Sequence, residues 1–264
     1  MNFLTVKNLS AGYGKRNILS GVSFSMEPGH ILGVLGANGC GKTTLIKCLC
    51  GILPHEGECM LLGERLEDLS SRQIARKCSY IPQRSGIGIE ISVLDVVLMG
   101  YNPRLRLLEH PGREMKASAL EMLALVGLEG RENDDYLSLS EGQKQLCILA
   151  RTLVSDAALL LLDEPESALD FRFRYKALSI LKQWVCRENS GAVVALHDGA
   201  LALNYCDELL LLSNGSVLGT VCPKTDPAGK TEEMLSEIYG SITLRKCCDK
   251  HGKEHLVIIK EDEN

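Results

Sequence analysis

The run Gly36-Ala37-Asn38-Gly39-Cys40-Gly41-Lys42-Thr43 sets glycines, a lysine and a hydroxyl at the spacing G-x-x-x-x-G-K-[ST]. Glycines at these positions let successive backbone N–H groups curl toward phosphate oxygens. Lys42 is then spaced to reach β- and γ-phosphates, and the Thr43 hydroxyl to ligate Mg²⁺. Thr44 continues into a helix whose positive end adds to the attraction. A phosphate loop of this kind needs carboxylates elsewhere, and Asp163-Glu164 supply them directly after the apolar residues 159–162. Asp163 suits Mg²⁺, and Glu164 suits a general base polarising an attacking water.

Both groups require strands to deliver them and helices to receive the chain afterwards. Residues 31–35 read as a compact apolar strand running into the glycine loop, with a helix from about residue 42. Further strand-like runs lie at 58–62, 79–82, 159–163, 192–196 and 208–212, and helical patterns cover 171–187 and 200–206. This alternation predicts a largely parallel sheet with helices on both faces. The first thirty residues read as short strands, with turns at Gly12-Tyr13-Gly14 and Pro28-Gly29. Between residues 92 and 153 helical periodicity replaces the strand signal. Val93, Val96, Val97 and Gly100 form one stripe, and Leu120, Leu123 and Val126 another. These residues read as a helical insertion in the α/β core. From about residue 241 the chain predicts two strands, 242–248 and 255–259, around a polar turn at 249–253.

Composition narrows the partners. Charged residues make up 24% and hydrophobic ones 45%, an ordinary globular balance that argues against disorder. The formal net charge of −5 counts against nucleic acid as a main partner. The 11 cysteines are odd in number and unframed, and Cys48, Cys50 and Cys78 sit among apolar residues, which points to a reducing compartment. No run approaches the roughly 18 apolar residues of a spanning helix, and the amino terminus lacks a signal-peptide stretch. The expectation is a soluble, cytoplasmic chain that serves a membrane only through another protein.

Five further motifs share the register of the phosphate loop. Leu139-Ser140-Glu141-Gly142-Gln143 stands one helix ahead of the Asp163-Glu164 strand and resembles the ABC signature. Ser167-Ala168-Leu169-Asp170 resembles the D-loop of that family, Gln83 in Tyr80-Ile81-Pro82-Gln83 its Q-loop, and His197 its switch histidine. Tyr13 falls where the family stacks an aromatic ring on adenine. By these motifs, in the family's order over about residues 3–220, the chain resembles an ABC-type ATPase. The resemblance implies an α/β P-loop NTPase fold: a mostly parallel sheet core, an N-terminal antiparallel β-subdomain and a helical insertion. Residues 1–240 would form the nucleotide-binding domain, with the helical part at about 86–153, and residues 241–264 a hairpin-like tail.

The same resemblance implies ATP and Mg²⁺ as ligands. Glu164, His197 and Gln83 would be catalytic, and Thr43, Gln83 and Asp163 would lie around the metal. Tyr13, the loop from Gly36 to Thr44, Ser140, Gly142, Gln143 and Asp170 would contact nucleotide, with Ser140 and the Gly142 backbone facing the phosphate from a second copy of the chain in a head-to-tail homodimer. Position 141 is Glu where the signature more often has Gly, so its side chain is expected to face away from phosphate. Cys40 stands where Ser or Ala is more usual and reads as a size-tolerant exchange. Arg72-Gln73-Ile74-Ala75-Arg76, the run 93–100 and the run 198–207 resemble the subgroup serving iron-chelate (siderophore), haem and cobalamin importers. This implies ATP-driven uptake through a separate integral-membrane permease, with an extracytoplasmic substrate-binding protein as an indirect partner. The chain would sit peripherally on the inner membrane face. Val93, Val97 and Met99 are candidates for the permease groove, although core packing also explains them. Metal-ion or export ATPases share the same core. A soluble non-transport member would carry insertions or a second cassette, and a P-loop kinase would leave Ser140–Gln143 unexplained. Cys247, Cys248, His251 and His255 lack a standard zinc spacing and read as a surface turn.

Overall fold

The computed structural model describes residues 2–83, 86–165 and 170–261. Strands β1 (Leu4–Tyr13), β2 (Arg16–Met26) and β3 (Ile31–Leu35) precede helix α1 (Lys42–Leu49). Strands β4 (Glu56–Leu61) and β5 (Glu64–Arg65), helix α2 (Ser71–Lys77) and strand β6 (Cys78–Ile81) follow. Next come helices α3 (Val93–Leu98), α4 (Arg113–Val126) and α5 (Glu141–Val154), then strand β7 (Leu159–Asp163) and helix α6 (Phe171–Val185). The chain continues through β8 (Gly191–Ala195), α7 (Gly199–Tyr205), β9 (Glu208–Ser213), β10 (Ser216–Val221), α8 (Ala228–Tyr239), β11 (Ile242–Cys248) and β12 (Glu254–Lys260).

The central sheet has six strands in the order β10-β9-β3-β8-β7-β6. β9, β3, β8, β7 and β6 run parallel, and β10 closes one edge antiparallel. Every residue of β3, β7 and β8 is buried, as expected when helices cover both faces of a parallel sheet. A separate sheet, β2-β1-β4-β5, is antiparallel throughout. The chain is therefore an α/β protein with a mostly parallel core and an N-terminal antiparallel sheet, as the sequence predicts.

Local corrections follow from packing. The first turn falls at Gly14-Lys15, because Gly12 and Tyr13 remain paired to Asn17 and Arg16. On α4 the buried face is Ala119, Leu123 and Val126, whereas Leu120 is 42% exposed. Gly100 lies beyond α3 in a 3₁₀ turn, where a Cβ would collide with the Arg151 carbonyl. Val93 and Val97 are fully buried in the core of the helical layer, so packing accounts for them and neither faces a groove. Burial pushes the Cys48 thiol up to about 12 and that of Cys50 up to about 11, the behaviour of thiols in a core. Cys247 faces His255 across the tail hairpin, and His255 meets the Asp249 carboxylate at 3.3 Å.

Candidate active site

β3 delivers the glycine loop. At Gly36 a Cβ would collide with the Leu212 carbonyl and the Cys40 sulfur, and at Gly41 (φ 113°) it would stand 2.5 Å from Leu19 Cδ2. These close approaches let the loop fold back over the strand ends. Gly41 caps α1 without a side-chain acceptor, so no capping group competes for the first N–H groups of the helix. The buried Lys42 ammonium donates to the Gly36 carbonyl at 2.8 Å. An open cleft of about 240 Å³ is walled by Asn38, Gly39, Gly41, Lys42, Thr43, Thr44, Tyr13 and Glu164. Gly36 and Cys40 are buried beneath the loop and Ala37 is exposed on it, and none of the three is in the wall. Cys40 is 6% exposed and packs in the core cluster that also holds Leu45 and Leu212.

The acids arrive from β7. Asp163 Oδ1 accepts the Thr43 hydroxyl at 3.0 Å, which brings together two oxygen ligands suited to a hard cation. Burial lifts the Asp163 carboxyl above its ordinary range; the Thr43 hydrogen bond opposes this, and the charge of Glu164 adds to it. A divalent cation would offset that cost, so the residues present fit Mg²⁺. Glu164 is the convergence point. The Gln83 amide donates to its Oε2 at 2.6 Å, His197 Nε2 contacts Oε1, and Lys42 Nζ lies 4.0 Å from the same oxygen. Its backbone N–H is tied to the Ala195 carbonyl, at a left-handed φ of 50° that costs a non-glycine residue about 1–2 kcal/mol. A buried carboxylate pinned from three sides, beside a phosphate loop, can order and deprotonate a water.

The remaining motifs lie elsewhere in the chain. Ser140 caps α5 in a reciprocal box, accepting from the Gln143 N–H while the Gln143 side chain accepts from the Ser140 N–H at 3.0 Å. None of Ser140, Gly142 and Gln143 enters the cleft wall. Glu141 sits on the exposed face, paired with Lys144 at 2.8 Å. Asp170 caps α6 by accepting the Phe173 N–H, while Ser167, Ala168 and Leu169 lie outside the described residues. Sequence reasoning missed three neighbours of the site. Arg16 and Ile18 share the cleft wall from β2. Tyr80, on the strand paired to β7, has its hydroxyl pushed up by burial and by the adjacent Asp163 carboxylate. Nothing local in the sequence pairs the strand at 79–82 with that at 159–163, so no sequence signal would have found it.

Comparison with known proteins gives a consistent picture. The family model described as ABC transporter matches residues 19–167. The hemin import ATP-binding protein HmuV of Deinococcus radiodurans is 36% identical, over 91% of each chain. The cobalamin import ATP-binding protein BtuD of Halobacterium salinarum is 33% identical over 84% of this chain and 56% of its own. Among solved structures, a chain of a transporter proposed to be of the metal-chelate ABC type, captured in an inward-facing conformation, superposes with a TM-score of 0.83. It is 27% identical and covered over 99% of both chains.

Proposed function

The chain belongs to the ABC transporter family as one of its nucleotide-binding ATPases, and from that premise we propose that it energises uptake of haem, cobalamin or a related iron chelate such as a siderophore through a separate membrane permease. The similarity to hemin and cobalamin import subunits along most of the chain supports this cargo class. No helix among the described residues is long and apolar enough to cross a membrane. The import reading has the chain on the cytoplasmic face, held there by the permease. Residues 1–240 act as the nucleotide-binding domain, with the helical layer at 86–153, and residues 241–264 as a tail. Ile242 and Leu244 root that tail in the main core.

In this reading the amides of residues 36–44 and the Lys42 ammonium bind the triphosphate, and Tyr13, 48% exposed, offers a ring face to the base. Thr43 and Asp163, with Gln83 beside them, would hold Mg²⁺; when bound, the ion neutralises charge on the β- and γ-phosphate oxygens. Glu164 accepts the proton of the attacking water, and His197 and Gln83 hold its two oxygens in place. The convergence on Glu164 is the observation that carries this assignment. A single chain offers only an open cleft, so Ser140, Gly142, Gln143 and Asp170 of a second copy complete it. The Ser140 hydroxyl takes up the Gln143 N–H, so the Glu141 and Gly142 N–H groups at the amino end of α5 are the ones offered to a phosphate. A groove of about 600 Å³ lined by Cys50, Ile52, Tyr80, Met99, Asn102 and Arg151 suits the permease's cytoplasmic helix, and Met99 is the residue of the predicted trio that lies in it.

The test isolates a many-span permease that co-purifies with this chain and reconstitutes the two together in vesicles. ATP-dependent uptake of haem or cobalamin, lost in Glu164→Gln, is the expected result. ATP hydrolysis that no such permease stimulates, with no uptake of either cargo, would contradict the import reading.

A further inference from the structure

A second pocket, of about 260 Å³, shares no residue with the nucleotide cleft. Its wall brings together Lys182 near the end of α6, Lys224 between β10 and α8, and Lys246 and Lys253 of the tail, with Asn204 and His255. The one acid in the wall, Glu254, is paired with Lys246 at 3.1 Å. Asp207, outside the wall, takes Lys224 on one oxygen and the Ile31 N–H on the other. Lys182 and Lys253 form no close ion pair with a carboxylate among the described residues. Instead Lys182 has Lys224 beside it and Lys253 nearby. Burial, and then these two like charges, pull its ammonium below the ordinary lysine range despite the nearby Asp207.

Such crowding runs against the charge of the molecule as a whole, which is formally −5. The carbonyl end of α6 favours a cation in its last turn and so accounts for Lys182. It does not account for three more lysines converging from two other segments. Nor does the pocket depend on flexible side-chain tips for its shape. Asn204 donates to the Ala200 and Leu256 carbonyls at 2.7 and 2.8 Å and accepts the Leu256 N–H at 3.0 Å, which clamps the tail hairpin to α7. Ammonium groups are compact point charges with three donors each, suited to the several oxygens of a phosphate more than to a flat, two-point carboxylate. We propose that this pocket binds a phosphate-bearing polyanion, either a free diphosphate-sized compound or a lipid headgroup, held by Lys182, Lys224, Lys246 and Lys253. Its occupant would bridge α6, α7 and the tail. α7 follows His197, which contacts Glu164, and the Tyr239 hydroxyl donates to the His197 carbonyl at 3.2 Å, so α7 connects the pocket to the candidate active site.

The experiment uses the full chain carrying Lys42→Ala, so that the glycine loop contributes little, and inorganic pyrophosphate as the probe in calorimetry. Lys182→Gln with Lys253→Gln removes charge without orphaning a paired acid, and is expected to weaken binding by about tenfold or more. Binding should also fall as salt rises. Residual binding at the glycine loop would be indifferent to these lysines. A parallel arm measures co-sedimentation with phosphatidylglycerol and phosphatidylcholine vesicles. Lysine-dependent binding to the anionic vesicles alone assigns the headgroup, and lysine-dependent binding of pyrophosphate assigns a free compound. If the double variant fails to fold by circular dichroism, Lys253→Gln alone, at an exposed position that pairs with no acid among the described residues, supplies the same comparison. Absence of binding in both arms, or binding that ignores the lysines, overturns the proposal.

Discussion

Asp163 and Asp207 border the same parallel sheet, one at each end of its strands, and their surroundings are opposed. Asp207 precedes β9 at the amino ends. Burial alone would raise its carboxyl pKa, yet the Lys224 ammonium and the Ile31 N–H hold it below the usual range. His30 and Glu208 pair beside it at 2.9 Å. Asp163 ends β7 at the carboxyl side, where burial and the charge of Glu164 outweigh the Thr43 hydroxyl and push it up. Glu164 next to it also holds a left-handed backbone. One edge satisfies its charges and so stabilises the fold. The other leaves the Asp163 carboxylate short of partners, at a cost in stability, where a ligand is to bind.

That contrast can be broken by substitution. The largest effect belongs to Glu164→Gln, for which phosphate-release assays should show ATP hydrolysis lower by about 10²–10⁴-fold. Its thermal unfolding should stay close to that of the parent. Asp207→Asn reverses the pattern: hydrolysis is retained, and urea unfolding at pH 7 shows a loss of about 1.5–3 kcal/mol. Because the folded carboxyl of Asp207 lies below the unfolded value of 3.8, its contribution is present above that pH. It is lost as pH falls through the folded value, so the two proteins should converge in acid. Ser140→Ala should cost about 1 kcal/mol of stability through the lost cap, and should also weaken ATP-dependent association. The smallest change in stability is the most pointed. Asp163 has a raised folded pKa, so its ionisation costs stability once pH exceeds the unfolded value of 3.8. Asp163→Asn should therefore unfold slightly hotter at pH 7, a gain that vanishes below that pH, while Mg²⁺-dependent hydrolysis is lost.

The stabilising and functional edges were not equally legible in the sequence. Fully buried strands such as β3, β7 and β8 announce themselves as unbroken apolar runs, and 159–163 matches β7 to the residue. The glycine loop and the Asp163-Glu164 pair are readable because phosphate chemistry restricts residue types locally. β10 and α8 went unread, since β10 is a half-exposed edge strand and only Thr231 and Leu235 of α8 are buried. The misplaced stripe on α4 has a similar origin: Leu120 is apolar yet outward, and the small Ala119 packs inward. The roles of Gln83 and His197 depend on strand adjacency, which brings both to Glu164 from distant positions in the chain. The Asp207–Lys224 pairing was invisible for the same reason. Gln143 carries both a motif and a cap, and only the structure exposes the second.

Two half-built clefts closing on nucleotide is the premise beneath these assignments. Sedimentation of the Glu164→Gln chain with saturating ATP and Mg²⁺ tests it most directly. A species of twice the 28.9 kDa chain mass, returning to a single chain when Ser140 is also replaced by a bulky residue, is the predicted result. A chain that stays at 28.9 kDa with ATP bound would contradict it.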